Sequence, residues 1–323
     1  MNVLDTAAFV PYPVTPQDIA AAAARIAGRV RRTPMLHAGP VRTHATAGRL
    51  WLKLENLQVT GSFKARGASN AVAALSPSVL ARGVVTASGG NHGLAVAAAA
   101  AVARVPATIF LPGSVPASKR ARFAAWGATT IVHGQVWDDA YAAAEAHAAQ
   151  SGQALLHPFA DPLVIAGQGT VALEIFDDQP GTETILVAIG GGGLMSGVAL
   201  AARGRRPGAK LVGVEPTGAA TLHSSLAAGR PVVLDGIHTA AGTLAPRSTH
   251  ALNFNIIQAL VDHIVLVTDD EMRDAARWLW AEHGLATELA GAASVAAVLT
   301  GRYVPGPDEV VCAIVCGAGT DGF

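Results

Sequence analysis

The sequence predicts an α/β protein with two doubly wound, mainly parallel sheets, and three observations carry that expectation. Short apolar runs rich in Val, Ile and Leu alternate with Ala-rich helical stretches along nearly the whole chain. The runs are continuously apolar, as strands covered on both faces are. They number roughly ten, more than one strongly twisted sheet comfortably holds, so two sheets are expected.

In chain order, RLWLKLENL leads into the helical SFKARGASNAVAAL, GVVTAS into GLAVAAAAAVA, ATIFLP into PASKRARFAAWG, and TTIVHG into WDDAYAAAEAHAAQ. After LLHPF the rhythm resumes with IAGQGTVALEIFDD, TILVAI, GGGGLMSGVALAARG and KLVGVEP, then HIVLVT, DDEMRDAARWLWAEHG and VVCAIVC. Residues 72–158 have their own alternation and are expected to form a small inserted domain, with 1–71 and 159–323 making the larger one. Residues 229–251, with Pro231, Pro246 and several glycines, are the least regular and are expected to loop over a sheet edge.

At 323 residues the chain can bury a large core. Its 23 basic residues balance 23 acidic ones, so no basic face points to nucleic acid or an anionic membrane, and a small-molecule ligand is the default. Although 51% of residues are hydrophobic, the longest apolar stretches are interrupted by Arg, Pro or Gly, and no membrane span is expected. MNVLDTAAFVPYPVTPQ lacks the basic and apolar regions of a signal peptide, which leads to an expected cytoplasmic location. Cys312 and Cys316 are the two cysteines; on one strand they would lie about 13 Å apart, too far for a disulfide, and CAIVC lacks metal-site spacing.

Ligands of open α/β sheets sit beyond the carboxyl ends of the strands, so the turns there carry the functional reading. Three stand out. AIGGGGLMSG places Gly190, Gly191, Gly192 and Gly193 between a strand and a helix beginning near Leu194. Backbone N–H groups in such a turn cradle an anion. No GK[ST] follows, and the G-x-G-x-x-G spacing fails, so a single phosphate is expected rather than a nucleotide. ASGGNHGLA offers Ser88, Gly89, Gly90, Asn91 and His92 to a second anion, suited to a carboxylate; the alternative is a plain helix cap by Ser88 or Asn91.

The third is TGSFKARGA. Thr60 or Ser62 is positioned to cap a helix starting at Phe63 or Lys64, which puts Lys64, one of only four lysines, in its first turn. Helix dipole and burial there both disfavour the ammonium, leaving the neutral amine that imine formation requires. A phosphate cradle, a carboxylate loop and a reactive amine together point to pyridoxal phosphate.

SFKARGA, SGGNHG, GGGGL and CGAGTD, in this order, resemble the fold-type II pyridoxal-phosphate enzymes (tryptophan synthase β-like), in particular the threonine/serine dehydratase and serine racemase branch. The resemblance spans about Ile19 to Asp321. It implies that Lys64 is the Schiff-base lysine and general base, that Phe63 packs near the ring, and that Asn91 bonds the cofactor's phenolic oxygen. It further implies that Gly190 to Gly193 with Leu194 hold the phosphate, and that Ser88, Gly89, Asn91 and His92 receive the substrate carboxylate. Cys316 falls where the family places a hydroxyl or thiol facing the pyridine nitrogen. The implied reaction is β-elimination of water from a β-hydroxy amino acid, giving a 2-oxo acid and ammonia, in a homodimer.

Several positions depart from the pattern. Gly89 stands where serine racemases carry a second acid/base serine, which disfavours racemisation, the alternative activity; a non-catalytic binding homologue is the other alternative. Glu215 and Ala219 match two positions of a divalent-cation site, but the third is Thr221, so a cation is left unassigned. Gly319 replaces an asparagine. Glu288 in TELAGAA matches the glutamate of an EPxGA run, with either a cofactor-side or a capping role. The C-terminal third resembles dehydratases associated with ectoine utilisation, and no C-terminal regulatory domain is expected.

Overall fold

The computed structural model describes residues 12–46 and 48–322. Its strands are β1 Met35–His37, β2 Arg49–Lys53, β3 Val84–Ala87, β4 Ala107–Leu111, β5 Thr129–Val132, β6 Ala154–Leu155, β7 Thr184–Ala188, β8 Lys210–Pro216, β9 His263–Val267 and β10 Val310–Ile314. They form two sheets. One has the order β1-β2-β10-β7-β8-β9 and the other β5-β4-β3-β6. Every pairing is parallel except that of β1 with β2.

Between them run α1 Pro16–Ile26, α2 Lys64–Ala74, α3 Pro77–Leu80, α4 Asn91–Ala103, α5 Ala117–Ala124 and α6 Trp137–Ser151. The second half adds α7 Pro162–Asp178, α8 Gly193–Arg205, α9 Thr221–Ala228, α10 Ala251–Leu260, α11 Asp269–His283 and α12 Leu289–Leu299. The strands of the smaller sheet all lie within residues 84–155, and the position between 71 and 72 falls inside α2.

Burial explains the apolar runs. Every residue of β7 and β10 is buried, since both strands are interior to the large sheet and covered on both faces, whereas the edge strands β5 and β9 are partly exposed. Among the described residues no helix is long and apolar enough to cross a membrane.

The placement of α2 decides the geometry of the site. A Cβ on Gly167 would lie 2.6 Å from the Cα of Gly67, so α2 and α7 approach closely only because both residues are glycine. Beneath that contact lies a charge cluster. Arg66 donates from Nε and Nη2 to the two oxygens of Glu55 at 2.8 and 2.7 Å and from Nη1 to Glu174 at 2.7 Å. Lys53 donates to the other Glu174 oxygen at 2.6 Å and to the Thr33 carbonyl at 2.7 Å. Both cations are fully buried. Burial alone would lower the Arg66 guanidinium, but Glu55 and Glu174 hold it well above its ordinary value.

Candidate active site

The carboxyl ends of β2, β10 and β7 lie side by side, with Lys53 opposite Ile314 and Ala313 opposite Leu186. The segments leaving those strands therefore meet. The chain after β2 is stitched to the chain after β10 by the Phe63 N–H to the Cys316 carbonyl, the Ala318 N–H to the Gly61 carbonyl, and a Ser62–Gly317 bridge. To make that turn, Thr60 and Gly61 both take positive φ, 63° and 83°. For a β-branched threonine this is a strained conformation, of the kind retained where surrounding structure enforces it.

The expected cap by Thr60 or Ser62 is not made. Phe63 is the N-cap of α2 with no side-chain hydrogen bond, because Thr60 is turned into the left-handed region and Ser62 is extended against Gly317. The hydroxyls of both are buried without a partner. Lys64 opens the helix and is half-buried. Its amine donates to the Pro158 carbonyl at 2.7 Å and lies 5.1 Å from the centre of the Phe63 ring. Burial lowers its pKa to about 8, against the opposing pull of Cys316 and Glu288.

Next to Pro158, Phe159 presses on the glycine turn. A Cβ on Gly191 would lie 2.4 Å from the Phe159 ring and one on Gly193 would lie 2.9 Å from its Cα. A Cβ on Gly190 would lie 3.0 Å from the Thr243 carbonyl, and Gly192, the N-cap of α8, has φ +93°. All four glycines are thus required by close approach or conformation. The Ser196 N–H returns to the Gly192 carbonyl, while the N–H groups of Gly193, Leu194 and Met195 start the helix without intrahelical acceptors. Lys64 and this cradle share the Pro158–Phe159 segment. Asn253 holds that segment by donating to the Phe159 carbonyl at 3.0 Å.

The second turn follows β3. Gly90 is the N-cap of α4, with no side-chain cap, so neither Ser88 nor Asn91 closes the helix. The Ser88 hydroxyl accepts from the Gly90 N–H at 3.3 Å, and the Asn91 amide donates to Glu288 at 2.8 Å. A Cβ on Gly89 would lie 2.3 Å from a Val115 methyl, so this position has no room for a side chain unless Val115 moves. His92 is buried, with Nε2 3.2 Å from the Leu156 carbonyl, and burial keeps it neutral, well below its ordinary pKa. Its imidazole faces the core, leaving only its main-chain N–H for a carboxylate.

Cys316 is buried just past β10, and its thiol donates to the Ala290 carbonyl at 3.3 Å. Burial, with Glu288, pushes this thiol far up, so it stays protonated. Cys312 and Cys316 are both free. Glu215 spends both oxygens on the start of α9, accepting from Leu222 and His223 at 2.8 Å each, and Thr221 donates to the Pro246 carbonyl. Among the described residues no group of three or more His, Cys, Asp or Glu is arranged to hold a metal.

Sequence reasoning missed Pro158, Phe159, Asn253 and Thr243, which shape the site without motif residues of their own. Gly319 also gains a reason. A Cβ there would lie 2.8 Å from that of Glu288, so a larger residue does not fit this turn. The site fits pyridoxal phosphate on these grounds: a glycine cradle at a helix start, a deprotonatable amine beside it, orphaned hydroxyls at Thr60 and Ser62, and a protonated thiol across from them.

Comparison with known proteins agrees with this geometry. Residues 26–317 match the model of the "Pyridoxal-phosphate dependent enzyme" family. The chain is 40% identical over 308 residues to an L-threonine ammonia-lyase of Thermotoga maritima, covering 95% of this chain and 76% of that one. It is also 40% identical over 294 residues to an L-threonine ammonia-lyase of Geobacter sulfurreducens, covering 90% and 72%. Among solved structures, maize serine racemase superposes with a TM-score of 0.91 at 34% identity, covering 95% of this chain and 94% of that one. The chain belongs to the family of pyridoxal-phosphate dependent enzymes.

Proposed function

We infer that the protein is a dehydratase of β-hydroxy amino acids, threonine and serine or a relative with a larger β-substituent, releasing a 2-oxo acid and ammonia. The observation that carries this reading is one competent base, Lys64, combined with a Gly89 position closed to any side chain by Val115. Relatives named L-threonine ammonia-lyase support it. The racemase alternative needs a second acid/base group, which Gly89 does not supply.

In this reading Lys64 bonds the cofactor aldehyde, Phe63 flanks the ring, Gly190 to Gly193 and Leu194 hold the phosphate, and Asn91 donates to the phenolic oxygen. The bound cofactor supplies an electron sink for negative charge at the substrate α-carbon. Ser88, Gly89, Asn91 and the His92 N–H hold the substrate carboxylate at the start of α4. Lys64 Nζ, carrying a free electron pair in a large share of molecules near pH 8, takes the α-proton. The β-hydroxyl then leaves as water, and a later hydrolysis returns one water, so the net products are the 2-oxo acid and ammonia. The Cys316 thiol donates to Ala290 and so brings no charge to the ring nitrogen. A homodimeric, cytoplasmic enzyme belongs to the same reading.

The test is release of 2-oxo acid and ammonia from a panel of β-hydroxy amino acids, with chiral analysis of recovered serine. Stoichiometric release with serine recovered as the isomer supplied is expected. Inversion of serine without ammonia would establish the racemase instead.

A further inference from the structure

The geometry points to Glu288 as a positioning residue that orients the Asn91 amide toward the cofactor and ties three segments of the chain together over the site.

Glu288 immediately precedes α12, where a glutamate would ordinarily cap its own helix. It does not. The helix start is served instead by Asp321, which accepts from the Leu289 N–H at 3.2 Å, and Glu288 makes no cap bond. Its Oε1 accepts instead from the Asn91 amide at 2.8 Å and from the Thr243 hydroxyl at 3.3 Å. Asn91 follows β3 of the small sheet, Thr243 belongs to the irregular strap before α10, and Glu288 stands among the strands of the large sheet. One carboxylate oxygen therefore joins three segments far apart in sequence.

The turn after β10 is shaped around this carboxylate. A Cβ on Gly317 would lie 2.2 Å from Oε1, and the Glu288 N–H donates to the Gly317 carbonyl at 3.3 Å. Gly317 and Gly319 thus leave room for the side chain that reaches Asn91.

The chemistry follows from the amide. A primary amide has two N–H donors and one carbonyl, and rotating it by half a turn would set its oxygen against the Glu288 oxygen. Glu288 accepts one N–H and so fixes which way the amide faces. The second N–H remains for an acceptor in the site, which in this family's cofactor is the phenolic oxygen. Burial and Asp321 push Glu288 up to about 7, while Asn91, Thr243 and Lys119 pull it down; Lys64 and Cys316 are the other titratable groups that feel it. The two donors favour the ionised form that holds them.

The test loads the full chain with pyridoxal 5'-phosphate and measures cofactor dissociation by equilibrium dialysis, the visible absorption spectrum, and the thermal midpoint of the cofactor-free protein. In Glu288→Asp the carboxylate is one methylene short of Asn91. That variant is expected to bind cofactor about tenfold more weakly, a typical loss for one charge-assisted hydrogen bond, with an altered visible band. Glu288→Gln, which keeps an acceptor at that position, should recover most of the affinity. In an Asn91→Ala background the Glu288→Asp change should have no further effect on affinity. Equal and independent losses in the two backgrounds, or a wild-type spectrum and affinity in Glu288→Asp, would overturn the proposal. Should Glu288→Asp fold poorly, Thr243→Val and Asn91→Ala keep it open to refutation. Thr243→Val leaves the amide held and should leave the visible band unchanged, whereas Asn91→Ala should shift it; the reverse pattern would contradict the assignment.

Discussion

Two regions of the molecule hold buried or half-buried cations only two residues apart on α2, and they are built in opposite ways. Arg66, together with Lys53 beneath it, is fully buried and meets carboxylates at every side, so its charge is fixed. Lys64 meets only a neutral carbonyl at Pro158, and its charge is the variable. The difference teaches how one helix start supplies both a structural cation and a reactive amine. What decides is whether carboxylates lie within reach, since burial without a partner disfavours the ammonium while burial with partners holds it.

Replacing the variable cation should cost the most in activity and little in stability. Lys64→Ala is expected to lower turnover by about 10³-fold or more while the cofactor-free protein keeps its thermal midpoint within a few degrees. A large loss of stability would mean that Lys64 is structural after all. Arg66→Met should do the reverse, destabilising by about 3–5 kcal/mol because Glu55 and Glu174 are left buried and unpaired, measured by denaturant unfolding. A neutral result there would mean that the cluster does not support α2.

A smaller effect is expected at the cradle. In Gly191→Ala the added methyl meets the Phe159 ring, and moving Phe159 also moves the carbonyl that holds Lys64. Cofactor affinity should fall about tenfold, the equivalent of about 1.4 kcal/mol, with the protein still folded.

The smallest effect is on the pH dependence of stability. Lys64 is lowered from 10.5 to about 8, so between those values the unfolded chain binds more protons than the folded one. Stability therefore rises with pH across that window, and the penalty is fully present below about 8. Lys64→Met should flatten the rise in the cofactor-free protein. An unchanged slope would place the titration elsewhere.

Much of the frame could be read from the residues. The apolar runs became strands because β7 and β10 are covered on both faces, and the glycine turns after β3 and β7 were recognisable because close approach excludes other residues. Lys64 stood out because so few lysines compete with it. The capping expectation failed because Thr60 adopts a left-handed conformation that no local pattern announces. The Asn91–Glu288 bond spans 197 positions. Phe159 and Asn253 act on the cradle from other segments. Contacts of that kind depend on the tertiary arrangement and leave no periodic trace. His92 looked like part of an anion loop, yet its ring turns toward Leu156 because the small sheet's core accepts it.

The most direct test of the central claim is borohydride reduction of the protein loaded with pyridoxal phosphate, followed by peptide mapping. The account predicts one pyridoxyl group on the peptide containing Lys64. Label on Lys53, Lys119 or Lys210 in its place, or none at all, would contradict it.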